Sequence, residues 1–336
     1  MRKIWLCGIF YLVGLTAFSQ ERKRTTFDLD TNYVQSYYDD LIVRVYSANR
    51  NNFIHFSDQP KELDLKYQPN DYFDIGLGVN YKWFGLNIGT KVTPLSDDDA
   101  IYGKTSSLGL QSYLYARKFT VDIIALKTRG YYLDLDNAGM ERKLTGGSYY
   151  KRRDLRTKNI GANLNYVLNH RRFSYKAAFK QNELQKRSAG SVIAGGGFYM
   201  LTARADSAIV PRGMDQDYFI GWRDLDAFKC YGINGNLEYA YSWVPMRNWI
   251  GTVAYRLSLG VQRNFWYFDQ IKRETQLKMT RGGMFRFSTG HHFPAFYVGF
   301  SYVRYHQQNS VMKMNSLKVL NGTNYTEFTI SKRFRL

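Results

Sequence analysis

The stretch Phe73-Asp74-Ile75-Gly76-Leu77-Gly78-Val79-Asn80-Tyr81-Lys82-Trp83 alternates without a fault. Phe73, Ile75, Leu77, Val79, Tyr81 and Trp83 form an apolar set, and the residues between them are all small or polar. Side chains along a strand point to opposite faces with a period of two, so one face here is apolar and the other polar. In a sandwich the apolar face meets a second sheet. In a transmembrane barrel it meets lipid, and the polar face looks inward.

The pattern recurs along the chain. Leu86, Ile88 and Val92 alternate with Asn87, Gly89 and Lys91, and Ile160, Ala162, Leu164 and Tyr166 with Gly161, Asn163 and Asn165. Ile233, Leu237, Tyr239 and Tyr241 alternate with Asn234, Asn236 and Glu238. Val253 to Val261 alternate with a set containing Arg256, Ser258 and Gln262. Weaker alternation marks 108–115, 119–126, 192–202, 285–290 and 296–305, and a strand is expected over 173–179 after a turn at 170–172. The chain closes on Phe328, Ile330, Phe334 and Leu336 sharing one face, the ending by which outer-membrane barrels close and are presented for assembly.

Counting from Tyr72 gives about twelve strands, and a hairpin within 41–56 raises the number to fourteen. Short turns are expected at 83–85 and 116–118, with longer loops at 94–106, 129–157, 203–227 and 269–282. That asymmetry is the layout of an outer-membrane barrel.

Composition agrees. The 336 residues include 28 Tyr, 22 Phe and 6 Trp, bringing aromatics to 17%, while mean hydropathy is only −0.43. A helical membrane protein needs runs of about 20 apolar residues, and beyond the N-terminus there are none. Arg2 and Lys3 followed by an apolar stretch to Phe18 and small residues at Ala17 and Ser19 are the features of a cleaved signal peptide. No lipid-attachment box precedes Cys7. Cleavage after residue 19 leaves Cys230 alone, which excludes an intrachain disulfide and a cysteine-rich metal site.

The expected organisation is therefore a signal peptide over 1–19, an N-terminal segment over 20–70 with room for one hairpin, and a barrel over 71–336. A net charge of +19 points to anionic lipid headgroups or lipopolysaccharide phosphates, or simply to solvated basic loops. Export argues against nucleic acid.

No motif carries chemistry by itself. Gly195-Gly196-Gly197 lacks the Lys-Ser/Thr ending of a phosphate loop, and no Gly-x-Ser-x-Gly elbow is present. His291 and His292 are adjacent, so on a strand they point to opposite faces. Asp97-Asp98-Asp99 and the Asp134/Asp136 pair lack calcium-loop spacing. No cofactor or metal is expected.

What remains is the inward-facing set. Its N-terminal part is Asp74, Asn80, Lys82, Asn87 and Lys91. Its later members are Asn163, Asn165, Lys176, Asn236, Glu238, Arg256 and Arg286. Mixed charges in a confined lumen pair with one another, so two readings stand open: a barrel plugged by its own salt bridges, or a narrow polar channel.

Tyr67-Gln68-Pro69-Asn70, followed by Ile75-Gly76-Leu77-Gly78-Val79-Asn80-Tyr81-Lys82-Trp83, resembles a signature of an outer-membrane barrel family of Bacteroidetes, domain of unknown function 4421. The upstream Tyr37-Tyr38-Asp39-Asp40-Leu41-Ile42-Val43-Arg44 and the Ser19-Gln20 junction are similar to its members. The resemblance spans about 31–336. It implies location and fold, and transfers no functional residue.

The sequence thus predicts an all-β, transmembrane antiparallel up-and-down β-barrel of the outer membrane. The expected molecule is a monomer inserted by the barrel-assembly machinery, with a structural, interaction or narrow transport role. One alternative is a surface-acting barrel hydrolase on lipid or peptide, using His291 or His292 with a loop aspartate. The other is a periplasmic β-sandwich binding module.

Overall fold

The computed structural model describes residues 28–58, 63–70, 73–82, 84–91, 99–134, 149–214, 218–269, 271–274, 277–309 and 317–335. The expected signal peptide, Asp97, Asp98, Asp136 and Leu336 lie outside the described residues.

The elements in chain order are β1 (Val34–Ser36), β2 (Asp40–Asp58), β3 (Leu63–Gln68), β4 (Phe73–Tyr81), β5 (Phe84–Lys91), α1 (Asp99–Tyr102), β6 (Ser106–Tyr115) and β7 (Phe119–Asp134). They continue with β8 (Tyr150–Val167), α2 (Tyr175–Phe179), β9 (Glu183–Gln185), β10 (Ala189–Arg204), β11 (Leu225–Trp243) and β12 (Trp249–Phe268). Last come β13 (Ile271–Glu274), β14 (Lys278–His292), β15 (Phe296–Asn309) and β16 (Leu317–Arg335).

The first long strand meets the last. β2 pairs with β16 from Asp40↔Arg335 to Asp58↔Leu317, so the antiparallel sheet closes on itself. A single closed sheet excludes the sandwich. Its outer face is apolar: Phe73, Ile75, Leu77 and Val79 of β4 are exposed while Gly76, Gly78 and Asn80 are buried. Phe119, Tyr166, Trp243, Trp249, Phe296 and Phe334 ring the outside at the end where the short turns lie, an aromatic girdle. No described helix is long and apolar enough to cross a membrane.

β3 and β4 share one edge of β2. β3 pairs with its upper part, Ile54↔Tyr67 to Asp58↔Leu63, and β4 with its lower part, Ile42↔Asn80 to Asn49↔Phe73. They form one descending strand broken at Pro69-Asn70, because proline brings no N–H to the ladder. Counted as one, they make a wall of twelve alternating strands, with β13 added to β12 and β1 pairing β9 in a separate small sheet. At the loop end ten strands close the wall, β3 pairing β7 at Lys66↔Asp134 to Gln68↔Tyr132.

Nearer the turn end, β5 and β6 are inserted as a wedge between β4 and β7. The apex of the wedge is tied. Asn70 N donates to Thr105 Oγ1 at 2.9 Å, and Thr105 Oγ1 donates to Gly130 O at 2.8 Å. Gly130 marks the β7 bulge at φ +88°, where a Cβ would lie 2.2 Å from Lys104 O, so only glycine fits.

Four expectations are corrected. The hairpin expected within 41–56 is one continuous strand, β2 (Asp40–Asp58), and it belongs to the wall, so the barrel begins at Asp40 and not at residue 71. Residues 173–179 are not a strand: Ser174 caps α2 by accepting from Ala177 N at 2.9 Å, and Tyr175, Lys176, Ala177 and Ala178 are all buried. The alternation read there is a coincidence of a short helix enclosed on every side. The tight turn at 170–172 belongs instead to a longer segment, 168–188, that folds back into the barrel. Finally, β7 and β8 run to Asp134 and from Tyr150, so the connection expected over 129–157 is shorter.

Candidate functional site

The two ends of the lumen are filled by different chemistry. At the loop end the inward residues are apolar: Phe56, Leu65, Leu133, Leu201, Phe228 and Trp266 are buried. Residues of the connection 205–224 pack onto them, with Trp222 edge-on to Trp266 at 4.9 Å between ring centres. Polar bonds fix this cap. Arg152 Nη1 donates to Ala208 O at 2.7 Å, Tyr67 OH donates to Ile209 O, and Phe219 N donates to Asp58 Oδ2 at 2.7 Å.

At the turn end the plug is the segment 168–188, with α2 and β9. Glu183 is its anchor. It receives Arg117 Nη1, from the turn between β6 and β7, at 2.6 Å and Ser174 Oγ at 2.5 Å, and lies 3.9 Å from Lys176 Nζ. All these partners are buried or nearly so, which makes the tie strong only as a set. Tyr175 of α2 reaches the wall, donating to Glu238 Oε1 at 2.8 Å. Burial pushes the Lys180 ammonium at the end of α2 down to about 7, with the Arg44 charge acting in the same direction.

Between the two fillings lies a chamber of about 500 Å³, within the ~300–1,000 Å³ typical of ligand pockets. One side of it is an ionic lattice. Arg256 Nε meets Glu238 Oε2 at 2.6 Å, Arg256 Nη1 meets Asp122 Oδ2 at 3.4 Å, and Arg286 Nη2 meets Asp122 Oδ2 at 3.2 Å. Arg286 also lies over the Tyr175 ring at 5.5 Å. Two acids answer two guanidiniums, so this lattice is neutral. Opposite, Arg44 pairs with Glu327 at 3.1 Å and donates from Nε to Asn87 Oδ1 at 3.0 Å.

Arg50 differs. It stacks over Tyr325 at 5.2 Å, its buried Nε has no hydrogen-bond partner, and among the described residues no carboxylate pairs with it. Arg50 is therefore a lining guanidinium without a carboxylate partner, in a chamber whose other lining charges include Lys180, Arg281 and Asp74.

Amides cover the third side. Asn236 Nδ2 donates to Asn163 Oδ1 at 2.9 Å and to Asn165 Oδ1 at 3.3 Å, and Ser258 Oγ donates to Asn236 Oδ1 at 2.7 Å. Gly195 and Gly197 let β8 and β10 approach here: a Cβ would stand 2.1 Å from Leu164 O and 2.2 Å from Ala162 O.

The expected inward set divides accordingly. Asp74, Asn87, Asn163, Asn236, Arg256 and Arg286 line the chamber. Asn165 and Glu238 are buried beside it. Asn80 approaches Lys180 O at 3.5 Å. Lys176 is on the plug, not on a wall strand. Lys82 is no part of the lining: at φ +54° it forms the turn after β4 and lies over the Tyr81 ring at 5.1 Å. Lys91 ends β5, and its side chain is outside the described residues.

Arg44, Arg50, Asp122, Glu183 and Glu327 were missed. Asp122 stands on the inward register of 119–126, and carrying that register through finds it. Arg44 and Arg50 lie within 41–56, where an expected hairpin hides that they share one face of a single strand.

His291 and His292 point to opposite faces. His291 packs on Trp249 and Phe293, while His292 is buried against Tyr297 with no partner for either ring nitrogen. Among the described residues, neither histidine is hydrogen-bonded to a serine or a carboxylate. Asp134 is engaged by Lys66 at 3.0 Å, and Cys230 is a buried free thiol.

A closed antiparallel wall, apolar outside and polar within, with a girdle of aromatic rings, defines a transmembrane β-barrel. The chain belongs to the family described as Domain of unknown function (DUF4421), whose model matches residues 28–334.

No curated protein matches the chain. Among solved structures it is similar to the outer membrane protease OmpT from Escherichia coli, at 9% identity over 89% of this chain and 98% of that one, TM-score 0.33. It is also similar to the toluene transporter TbuX of Ralstonia pickettii (10% identity, 88% and 90% covered, TM-score 0.33). A third is the toluene transporter TodX of Pseudomonas putida (9% identity, 88% and 89% covered, TM-score 0.27). At such identities the likeness concerns fold alone.

Proposed function

We propose that the protein is a gated outer-membrane barrel that holds a small anionic ligand in its mid-barrel chamber and passes it when the plug of residues 168–188 yields. In this reading the chain ends and short turns face the periplasm, and the long connections face outward. The observation that carries it is the chamber itself: enclosed between an apolar cap and an ion-paired plug, and lined by Arg50, a guanidinium that no described carboxylate pairs. A purely structural barrel has no need of a central chamber lined by a guanidinium without a counter-charge. A wide pore has no need of two fillings.

Swelling of proteoliposomes in small anions and in cations of matched size tests this. The expected result is slow uptake by the unaltered protein and by Glu183→Ala alone, whose apolar cap still closes the other end, and faster uptake, favouring anions, when Glu183→Ala is combined with Trp222→Ala in the cap. Rapid, charge-indifferent uptake by the unaltered protein would make it an open pore. Unchanged, slow uptake by the double variant would leave a structural role.

A further inference from the structure

We infer that the barrel wall opens sideways between β5 and β6, and that this seam admits from the bilayer a single-chain amphiphile whose anionic head is received by Arg50. The inference rests on reading the chamber as the ligand site.

The seam is visible in the pairing. Around the lower wall each strand is hydrogen-bonded to both neighbours, except that β5 pairs only with β4 and β6 only with β7 among the described residues. Exposure shows the consequence. Leu108 of β6 is 78% exposed, the most of any described large hydrophobic residue, and Ile88 of β5 is 68%, against 64% for Leu259 and 62% for Ile233 on paired strands. Ser106, Ser107, Leu108 and Gly109 are all exposed, although successive residues face opposite sides. An exposed run on both faces is an open edge.

Such an edge has a physical problem within a membrane. Backbone N–H and C=O groups facing hydrocarbon go unsatisfied, and irregular or open backbone persists only where it is buried in protein or lines a watered cavity. The chamber supplies that side: Asn87 of β5 and Ser107, Leu108 and Gly109 of β6 line it. With the cap and the plug filling the axial ends, the wall at this seam is the route left.

The ligand class follows from what stands at the opening. Outside are Leu86, Ile88 and Leu108, all exposed aliphatics. Inside are Ile124, Leu126 and Phe179, which also line the chamber. Arg50 Nη1 lies 3.4 Å from where a Gly109 Cβ would be, so the unpaired guanidinium sits directly behind the gap. An apolar chain with one negative end matches this sequence of surfaces, whereas a fully hydrated anion gains nothing from the aliphatic flanks.

The test uses dodecanoate and the full-length protein in phospholipid nanodiscs. A cysteine pair joining β5 and β6, Ile88→Cys with Leu108→Cys in a Cys230→Ser background, locks the seam on oxidation. We expect the reduced form to bind dodecanoate and the oxidised form to lose at least tenfold in association rate, while Arg50→Gln weakens affinity about tenfold in the reduced form. Equal rates in both forms overturn the port and leave the chamber standing. No binding in either form overturns the chamber reading and the port with it.

If the cross-link does not form, Leu108→Trp provides the second measurement. Its fluorescence is expected to be quenched both by brominated phospholipid chains and by aqueous acrylamide, whereas Leu257→Trp on the sealed wall answers to the brominated chains alone. Identical behaviour of the two positions contradicts the port.

Discussion

Tyr175, on the plug helix, donates its hydroxyl to Glu238 of the wall at 2.8 Å, and Glu238 is itself held by Arg256 Nε at 2.6 Å. The plug is therefore wired into the ionic lattice of the wall. A hydrogen bond to a charged acceptor contributes ~1.5–3 kcal/mol. Tyr175→Phe should loosen the plug by about that amount, leaving the wall intact because Arg256 and Asp122 still satisfy the lattice. Faster protease cleavage within residues 168–188, with unchanged heat-modifiable gel mobility, is expected.

Glu183 is the stronger anchor. Glu183→Ala leaves Arg117 and Lys176 buried without their counter-charge, and breaking a buried pair from one side costs ~3–5 kcal/mol. Residues 168–188 should then become accessible to protease while the barrel itself resists. Glu183→Gln, which keeps the hydrogen bond to Ser174, is expected to fall between. A protease pattern equal to that of the unaltered protein would show that the plug is held by something else.

Lys180 gives the plug a pH dependence. Its folded value, about 7, lies below that of an unfolded lysine, so from about pH 7 to the ordinary lysine range the undocked plug binds the extra proton. The docked state must therefore gain stability as pH rises through that window, by at most about tenfold per unit, and be flat below it. In a Trp222→Ala background that loosens the cap, open probability should fall from pH 7 to 9, and Lys180→Met should abolish the slope. An open probability that rises with pH would contradict the assignment.

The apolar cap makes a separate prediction. Trp266 is fully buried against Phe228 and Trp222. Truncating a large buried aromatic to alanine costs ~3–5 kcal/mol. Trp266→Ala should lower the unfolding temperature on heat-modifiability gels more than Leu257→Ala, which removes only a lipid-facing side chain.

The wall was legible because lipid on one side and water on the other impose strict alternation, as in residues 73–83. Strand number came out near twelve for the same reason. Legibility failed where that constraint lapses. Residues 173–179 are enclosed on both faces inside the barrel, so their short run of alternation had no lipid to answer to. Lys82 continued the pattern of β4 one residue past its end, into a turn at positive φ. The chamber depends on Pro69 breaking a strand and on β5 and β6 failing to pair. Both are relations between distant segments that no local period can display. Lys176 was expected on the inward face and is buried within the barrel, but by way of a helix.

Single-channel recording in planar bilayers tests most directly the central claim, that the lumen is closed at both ends around a chamber. The unaltered protein should be silent at moderate voltage, as should Glu183→Ala or Trp222→Ala alone, and the two combined should open often, with anions carrying most of the current. A steady, ohmic conductance from the unaltered protein would contradict it.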